Sequence, residues 1–203
     1  MSEPGLLIVI SGPSGAGKDS VLLQLAKRRG GLFYSVSATT REPRAGEAGG
    51  QDYYFLTDEE FERLIAQGKL LEYTEYNGKY YGTPRQAVEE RLARGEDVIL
   101  VIEVRGAMQV KKSFPEAVLV FILPPSMQVL EKRLRGRGTE TEAQISGRLA
   151  IARGEIGSAV NYDYVVINDA LETAAAEIDA IVCTEKLKAS RNRKRIQEVL
   201  DHA

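Results

Sequence analysis

Residues 6–20 have the sequence LLIVISGPSGAGKDS, and this stretch decides the fold. The first five of these residues are apolar, a pattern typical of a strand that is buried on both faces of a parallel sheet. The segment GPSGAGK follows, and Val21, Leu22 and Leu25 then recur at helical spacing. A glycine-rich turn between a strand and a helix predicts a phosphate-binding loop.

The residue types of this loop suit phosphate for a physical reason. Glycines let backbone N–H groups surround phosphate oxygens without a Cβ in the way, and the following helix directs its positive end at them. The Lys18 ammonium group can reach the terminal phosphates of a nucleotide. We expect nucleotide contacts from the whole loop and the start of the helix, namely Gly12, Pro13, Ser14, Gly15, Ala16, Gly17, Lys18, Asp19 and Ser20.

Asp19 departs from the usual form of this motif, in which a hydroxyl residue directly follows the lysine and ligates Mg²⁺. Here the hydroxyl residue, Ser20, comes one position later. One interpretation is an acidic residue favoured by the helix dipole in the first turn. The other is a carboxylate that faces Mg²⁺ directly or through water, since near a triphosphate it would otherwise be repelled. Asp19 and Ser20 are therefore the candidate metal ligands.

The composition narrows the chemistry. The 203 residues are 43% hydrophobic and 28% charged, with a net charge of −2, as in an ordinary globular domain that does not bind nucleic acid in general. We expect neither a membrane span nor a leader peptide, and a cytoplasmic location. The only histidine is His202 near the end, and the only cysteine, Cys183, lies in an apolar helical pattern and is predicted to be core. Catalysis must therefore rely on Lys, Arg, acids, hydroxyls and a soluble cation, as in phosphoryl transfer.

Strands alternate with helices along the rest of the chain, which predicts a doubly wound α/β fold with a parallel core sheet. Core strands are expected at residues 33–36, 98–104, 118–123 and 164–167, in addition to residues 6–10. Residues 37–52 have a loop-like composition, and strands at 53–56, 70–76 and 79–81 follow, with Asn77-Gly78 as a hairpin turn. Thr57 and Glu60 predict a capping box. The expected organisation is one domain with core segments 5–36, 95–135 and 157–190, a β-rich insert at about 37–94 and a basic tail at about 186–203.

A second phosphate site is suggested by Arg41, Arg44, Tyr53 and Tyr81, because two guanidinium groups and two phenols can hold a dianionic phosphate. Taken singly, each could be a surface arginine or a packed aromatic residue.

Together with the rest of the chain, these residues closely resemble the guanylate kinase family. The similar segments are GPSGAGK, SVSATTREPRAGE, DYYF, LLEY, GKYYGT, IEVRGAMQV, ILPPS, RLRGRGTET and VIND, which run through nearly the whole sequence. The resemblance implies a nucleoside-monophosphate kinase fold with a five-stranded parallel core sheet. In such a fold the insert at about 37–94 binds the nucleoside monophosphate, and residues at about 136–156 form a mobile lid. It also implies Mg²⁺-dependent transfer of the ATP γ-phosphoryl group to GMP, and to dGMP, without a covalent enzyme intermediate.

The resemblance assigns roles to particular residues. The resemblance implies that Lys18, Arg41, Arg137 and Arg148 neutralise charge during catalysis, and that ATP is also contacted by Arg133, Arg137 and Asn168. It implies that the GMP phosphate is bound by Arg41, Arg44, Tyr53 and Tyr81, and that the guanine base is bound by Ser37, Glu72, Thr83 and Glu103. The base assignment is chemically sensible, because one carboxylate can accept from both N1–H and N2–H₂ of guanine, whereas adenine presents an unprotonated N1. The partners are thus ATP and GMP, with a homo-oligomer left open.

Val101 is the second departure, since the family usually has Asp or Glu at this position. We hypothesise that Asp19 compensates for Val101 by holding the Mg²⁺ shell from the loop side.

Two alternatives remain to be weighed. The sequence Gly-Lys-Asp-Ser also resembles the ribose 1,5-bisphosphate phosphokinases, but such an enzyme has no use for the guanine-recognising set. A guanylate-kinase-like module that binds phosphorylated protein segments typically has a degraded phosphate loop, whereas Lys18 and the loop glycines are intact here.

Overall fold

The computed structural model describes residues 3–44, 46–76, 78–136 and 141–201, in which strands and helices alternate. The strands are β1 (Leu7–Ser11), β2 (Leu32–Tyr34), β3 (Ser37–Thr39), β4 (Tyr53–Phe55), β5 (Leu70–Tyr76), β6 (Lys79–Pro84), β7 (Asp97–Val101), β8 (Val118–Leu123) and β9 (Tyr164–Ile167). The helices are α1 (Lys18–Arg28), α2 (Asp58–Ala66), α3 (Arg85–Ala93), α4 (Val104–Ser113), α5 (Met127–Arg135), α6 (Glu142–Gly157), α7 (Leu171–Lys186) and α8 (Arg193–Asp201).

The core sheet has five parallel strands in the order β2-β7-β1-β8-β9. Its central strand, β1, is buried along its whole length. Ile8 and Ile10 pack in a cluster that includes residues of α1 and α7, whereas Leu7 and Val9 pack in a second cluster with α3 and α4. Helices on both faces explain why the strand is continuously apolar rather than alternating. The predicted fold class is confirmed.

A second sheet, in the order β4-β3-β6-β5, is formed by residues between β2 and α3. Its hydrophobic cluster contains Ala38, Phe61 and Leu70, with Phe61 stacked on Tyr80 at 5.3 Å between ring centroids. Helix α2 covers this cluster and begins with the predicted capping box, in which Thr57 and Glu60 exchange side-chain-to-backbone hydrogen bonds. The β-rich part of the chain thus has a small core of its own.

Strand β5 joins the two cores. Leu70 packs in the cluster of the second sheet, and Leu71 packs in the main core among residues of α3 and α4. An irregularity in the β5–β6 register falls between Leu70 and Glu72, and all three residues from 70 to 72 are buried. A bulge of this kind redirects a side chain, here Glu72, towards the end of the core sheet.

Helices α5 and α6 pack on each other through Leu130, Leu134, Ile145 and Ala152. Helix α6 covers most of the range predicted for a lid, and residues 137–140, including Arg137, lie outside the described residues. The division into a core, a movable insert and a lid stays a prediction. Within the described ranges, no helix is long and apolar enough to cross a membrane.

Three local predictions are wrong. The strand predicted at 98–104 ends at Val101, and Glu103 is the N-cap of α4. The prediction was too long because the apolar residues continue from the strand into the helix. The segment 37–52 is not entirely a loop, since it contains β3. Cys183 is exposed, on the side of α7 where the Arg29 guanidinium donates to its Sγ at 3.2 Å.

Candidate active site

The loop after β1 forms the first part of the site. Gly12 has φ +155° and a Cβ there would lie 2.3 Å from the Ile122 carbonyl oxygen, so no other residue fits without movement. Lys18 Nζ donates to the Gly12 carbonyl at 2.7 Å and to the Pro13 carbonyl at 3.3 Å, which places the ammonium group against the loop. Helix α1 starts at Lys18 with Gly17 as its N-cap and no capping side chain. Its first N–H groups are therefore oriented for an anion.

Asn168 and Arg133 brace this loop from behind. The Ala16 carbonyl accepts from Asn168 Nδ2 at 2.7 Å and from Arg133 Nη1 at 3.3 Å. Arg133 Nη2 also donates to the Asn168 carbonyl at 2.9 Å. Asn168 is 2% exposed, and its Oδ1 is buried without a hydrogen-bond partner among the described residues. Both residues predicted to contact ATP thus touch the loop itself.

A cleft of about 470 Å³ lies at the carboxyl ends of the core strands, between the loop, the second sheet and α6. This is the edge where ligands bind in open α/β sheets. The cleft brings together many of the residues that the sequence predicted, namely Gly12, Ser14, Lys18, Asp19, Ser37, Arg44, Tyr53, Glu72, Tyr81, Glu103 and Arg148. The Arg148 guanidinium reaches across from α6 and donates to Ser14 Oγ at 3.0 Å.

Where strands β4 and β6 line the cleft, Tyr53 and Tyr81 meet edge to face with ring centroids 6.2 Å apart. Arg41 lies behind them, with its guanidinium 5.2 Å from the Tyr53 ring centroid. Its two terminal nitrogens bind the Glu47 carboxylate in a bidentate pair at 2.9 Å each, and Glu47 also accepts the Arg44 N–H at 2.7 Å. The Arg41 hydrogen bond holds the pKa of Glu47 below its ordinary value. Arg41 is therefore held in place by a carboxylate.

Where strand β5 lines the cleft, Glu72 is 4% exposed and accepts a hydrogen bond from Thr83 Oγ1 at 2.7 Å. The two residues are cross-strand neighbours in the β5–β6 hairpin, so the pairing follows from the register. Burial raises the pKa of Glu72 to about 7, an effect that the Thr83 hydrogen bonds oppose and the Glu103 charge reinforces. A buried carboxylate with a raised pKa in a cleft is typical of a functional site.

Sequence reasoning missed three residues of the site. Glu47 belongs to the quoted segment SVSATTREPRAGE but had been given no role. Glu155 of α6 lines the cleft, where burial and the Glu103 charge raise its pKa and Lys18 opposes the increase. Gly106 of α4 contacts Glu72 closely, as described below. Only Glu47 could have been suspected from the sequence, because it lies three residues after Arg44. Glu155 and Gly106 interact with residues that are far away in the chain.

The residues at the start of α1 fit a magnesium ion carried by a nucleotide. Asp19 and Ser20 are both exposed, and Asp19 lines the cleft beside the loop. Among the described residues no group of three or more His, Cys, Asp or Glu could form a dedicated metal site. Mg²⁺ bound to phosphates needs only one or two protein oxygens, since phosphate and water supply the rest.

Comparison with known proteins identifies the family of this chain. The guanylate kinase family model matches residues 5–185. The chain belongs to the guanylate kinase family. It is 52% identical over 192 residues to the guanylate kinase of Carboxydothermus hydrogenoformans, which covers 95% of this chain and 94% of the relative. It is 50% identical to the guanylate kinase of Bacillus subtilis, with 99% of each chain covered.

A solved structure supports the same family assignment. The crystal structure of guanylate kinase from Anaplasma phagocytophilum matches with a TM-score of 0.77 and 35% identity, covering 94% of this chain and 91% of that one. Like other guanylate kinases, the protein transfers the terminal phosphoryl group of ATP to GMP, giving ADP and GDP. Phosphoryl transfer suits a cleft whose described lining residues include charged side chains but no histidine or cysteine, because positioning and charge neutralisation dominate this reaction.

Proposed function

We propose that the 470 Å³ cleft is where ATP and GMP meet, with the ATP phosphates on the loop of residues 12–18 and GMP along the second sheet. The observation that carries this proposal is that the loop and the buried Glu72–Thr83 pair line or adjoin one cleft.

In this proposal, Glu72 accepts from guanine N1–H and N2–H₂, with Ser37, Thr83 and Glu103 completing the base site. Adenine cannot donate from N1, so the carboxylate would lose a partner while remaining buried, which is costly. Arg44, Tyr53 and Tyr81 hold the GMP phosphate, and Arg41 stands behind Tyr53 as the second guanidinium. The phosphate oxygen of GMP attacks the γ-phosphorus in line, and no covalent enzyme intermediate forms.

The donor side neutralises the developing charge. Lys18 lies against the loop carbonyls, and Arg148 already reaches Ser14 of the loop from α6. Arg137 has the same proposed role, although it lies outside the described residues. Bound Mg²⁺ would neutralise charge on the ATP phosphates, with Asp19 and Ser20 as the protein groups nearest to it. Cations of this kind favour a transition state in which charge spreads over the phosphate oxygens.

The base assignment is tested by ADP release with MgATP and either GMP, AMP or ribose 1,5-bisphosphate as acceptor. GMP should be the good acceptor, and Glu72→Ala should raise the KM for GMP by about 100-fold or more without a comparable change in the KM for ATP. Glu75→Ala is the matched control, since Glu75 is exposed on the same strand. Unchanged GMP kinetics in Glu72→Ala, or equal losses in both variants, would contradict the assignment.

Asp19 has a separate test. We propose that it holds the Mg²⁺ shell where Val101, which lines the same cleft, cannot. Equilibrium binding of a fluorescent ATP analogue, titrated with Mg²⁺, should show that Asp19→Ser weakens the apparent Mg²⁺ affinity more than the nucleotide affinity. Equal weakening of both affinities would refute this role.

A cytoplasmic location belongs to the same proposal. It is supported by substrates that are small nucleotides and by one exposed cysteine rather than a disulfide. The net charge of −2 supports nucleotides, rather than nucleic acid, as partners.

A further inference from the structure

The first turn of α4 lies against the Glu72 carboxylate. Gly106 is the third residue of this helix and is buried. A Cβ placed on Gly106 would lie 2.4 Å from Glu72 Oε2, 3.0 Å from its Cδ and 3.4 Å from its Cγ. These are the three nearest atoms, and all of them belong to the Glu72 side chain. The absence of a side chain at residue 106 therefore makes room for this one carboxylate.

Gln109 contacts the residue that follows Glu72. Its Oε1 accepts the Tyr73 N–H at 3.2 Å, and its Nε2 donates to the Tyr73 carbonyl at 2.9 Å. Residues 106 and 109 are three apart on α4 and so lie on the same face of the helix. Helix α4 thus contacts two consecutive residues of β5, Glu72 through its side chain and Tyr73 through its backbone. The register irregularity of β5 lies just before them, between Leu70 and Glu72.

We propose that this face of α4, Gly106 and Gln109, is a specificity-determining surface that positions Glu72 for guanine. The proposal rests on the role of Glu72 proposed above. Gly106 and Gln109 are positioning residues, because they act through Glu72 and the β5 backbone rather than by contact with the base. The surface lets the carboxylate lie between Thr83 Oγ1 on one side and the helix on the other.

The exact position of the Glu72 carboxylate should determine how well it binds guanine. A carboxylate recognises guanine through two parallel N–H···O bonds, which weaken steeply when distances or angles depart from their optimum. A methyl group at residue 106 would force Oε2 to move, since non-bonded contacts as short as 2.4 Å do not persist. The displaced carboxylate would either lose Thr83 or meet the base at the wrong angle. Guanine would lose affinity, whereas adenine, which gains nothing from the carboxylate, would not.

The test is Gly106→Ala, assayed with GMP, AMP and ATP. The KM for GMP should rise by about tenfold or more, the KM for ATP should stay within about twofold, and the ratio of kcat/KM for GMP over AMP should fall. Gly147→Ala is the matched control, because Gly147 is also in a helix but has no atom near its Cβ position. A KM for GMP that is unchanged in Gly106→Ala would overturn the role of Gly106.

A double-mutant cycle separates positioning from general damage. In a Glu72→Ala background the methyl group has room, so Gly106→Ala should fold and should not raise the KM for GMP further. The same increase in both backgrounds would mean that Gly106 acts through something other than Glu72, which would overturn the proposal. If Glu72→Ala alone leaves the KM for GMP unchanged, it is the proposed base site that fails. If Glu72→Ala raises it but Gly106→Ala does not, only the positioning role fails.

Gln109 is tested by Gln109→Met, which keeps the length of the side chain and removes both hydrogen bonds to Tyr73. The KM for GMP should rise about three- to tenfold, with little change in the KM for ATP. Lys112→Met is the control, because Lys112 is exposed on the same helix. Equal kinetics for the two methionine variants would remove Gln109 from the positioning surface.

Discussion

The two ends of the cleft are built in different ways. The donor end is a continuous stretch, residues 12–18, in which backbone groups and Lys18 make the binding surface. The acceptor end is assembled from side chains on β3, β4, the β5–β6 hairpin and the turn before α4. Backbone N–H groups do not titrate, whereas Glu72 has a pKa of about 7. From this comparison we expect phosphate binding at the donor end to depend less on pH than base recognition at the acceptor end.

Lys18→Met should produce the largest loss and affect the donor end alone. Lys18 is one of the cations proposed to neutralise the transferred phosphoryl group, so its loss should lower kcat about 1,000-fold, or roughly 4 kcal/mol. Steady-state ADP release measures this, with Lys132→Met, an exposed lysine of α5, as the control. GMP affinity, measured by equilibrium binding, should change little. A comparable loss of GMP affinity would show that the two ends are not independent.

Glu72→Gln should affect only the acceptor end. The amide keeps the size of the side chain but can present only one acceptor oxygen, and its NH₂ group opposes a guanine donor. The KM for GMP should rise by about 100-fold, and discrimination against AMP should fall. Initial rates over a range of GMP and AMP concentrations measure both. Retention of full discrimination would place base recognition elsewhere.

The pH dependence of the KM for GMP follows from the raised pKa of Glu72. Only the ionised carboxylate can accept from both guanine donors, so GMP binding requires loss of a proton from a group with a pKa of about 7. The KM for GMP should rise about tenfold as pH falls from 8 to 6, whereas the KM for ATP at saturating GMP should not follow this curve. Glu72→Gln should flatten the profile. A wild-type profile as flat as that of the variant would contradict the assignment.

Glu47→Gln tests the phosphate side of the acceptor end. The substitution weakens the bidentate pair that holds Arg41 behind Tyr53. The KM for GMP should rise about three- to tenfold because the guanidinium must be ordered during binding. Glu42→Gln, at an exposed position nearby, is the control. A fall in the KM for GMP would instead mean that Glu47 competes with the GMP phosphate for Arg41.

The last prediction concerns stability rather than kinetics. The folded protein keeps Glu72 protonated up to a pKa of about 7, whereas the unfolded chain releases this proton near 4.5. The contribution of Glu72 to the free energy of unfolding therefore falls as pH rises between these two values, by up to about 3 kcal/mol. Glu72→Gln should remove this fall and be the more stable protein at pH 8. Urea unfolding of both proteins at pH 5 and pH 8 measures the difference, and parallel curves would argue against a raised pKa.

Much of the fold could be predicted from the sequence. Continuous apolar strands indicated the parallel sheet, and Thr57 with Glu60 marked the start of α2, because these signals are local. The end of β7 was mispredicted because apolar residues continue from the strand into α4. Composition alone therefore does not mark the boundary between the two elements. Cys183 was mispredicted as core because one residue in an apolar helix can face outward without disturbing the pattern.

The candidate site was predictable where a residue carries its own chemistry. Lys18, Arg44, Tyr53 and Glu72 were chosen by type and family resemblance, and the structure places them around one cleft. Gly106 could not be found in this way, since its relevance is the space it leaves for Glu72. Such a role depends on a contact between segments far apart in the chain, and no periodicity or motif in one sequence encodes it.

Strand β5 places Leu70 in the core of the second sheet and Leu71 in the main core, so it would be the axis of a rotation of one relative to the other. Any rotation of the second sheet about this strand moves an atom in proportion to its distance from it. Glu72 lies on this axis, whereas Tyr53 lies on β4, three strand spacings or about 14 Å away. If the second sheet rotates in this way, we expect the guanine site proposed at Glu72 to move little and the phosphate site proposed at Tyr53 to move most.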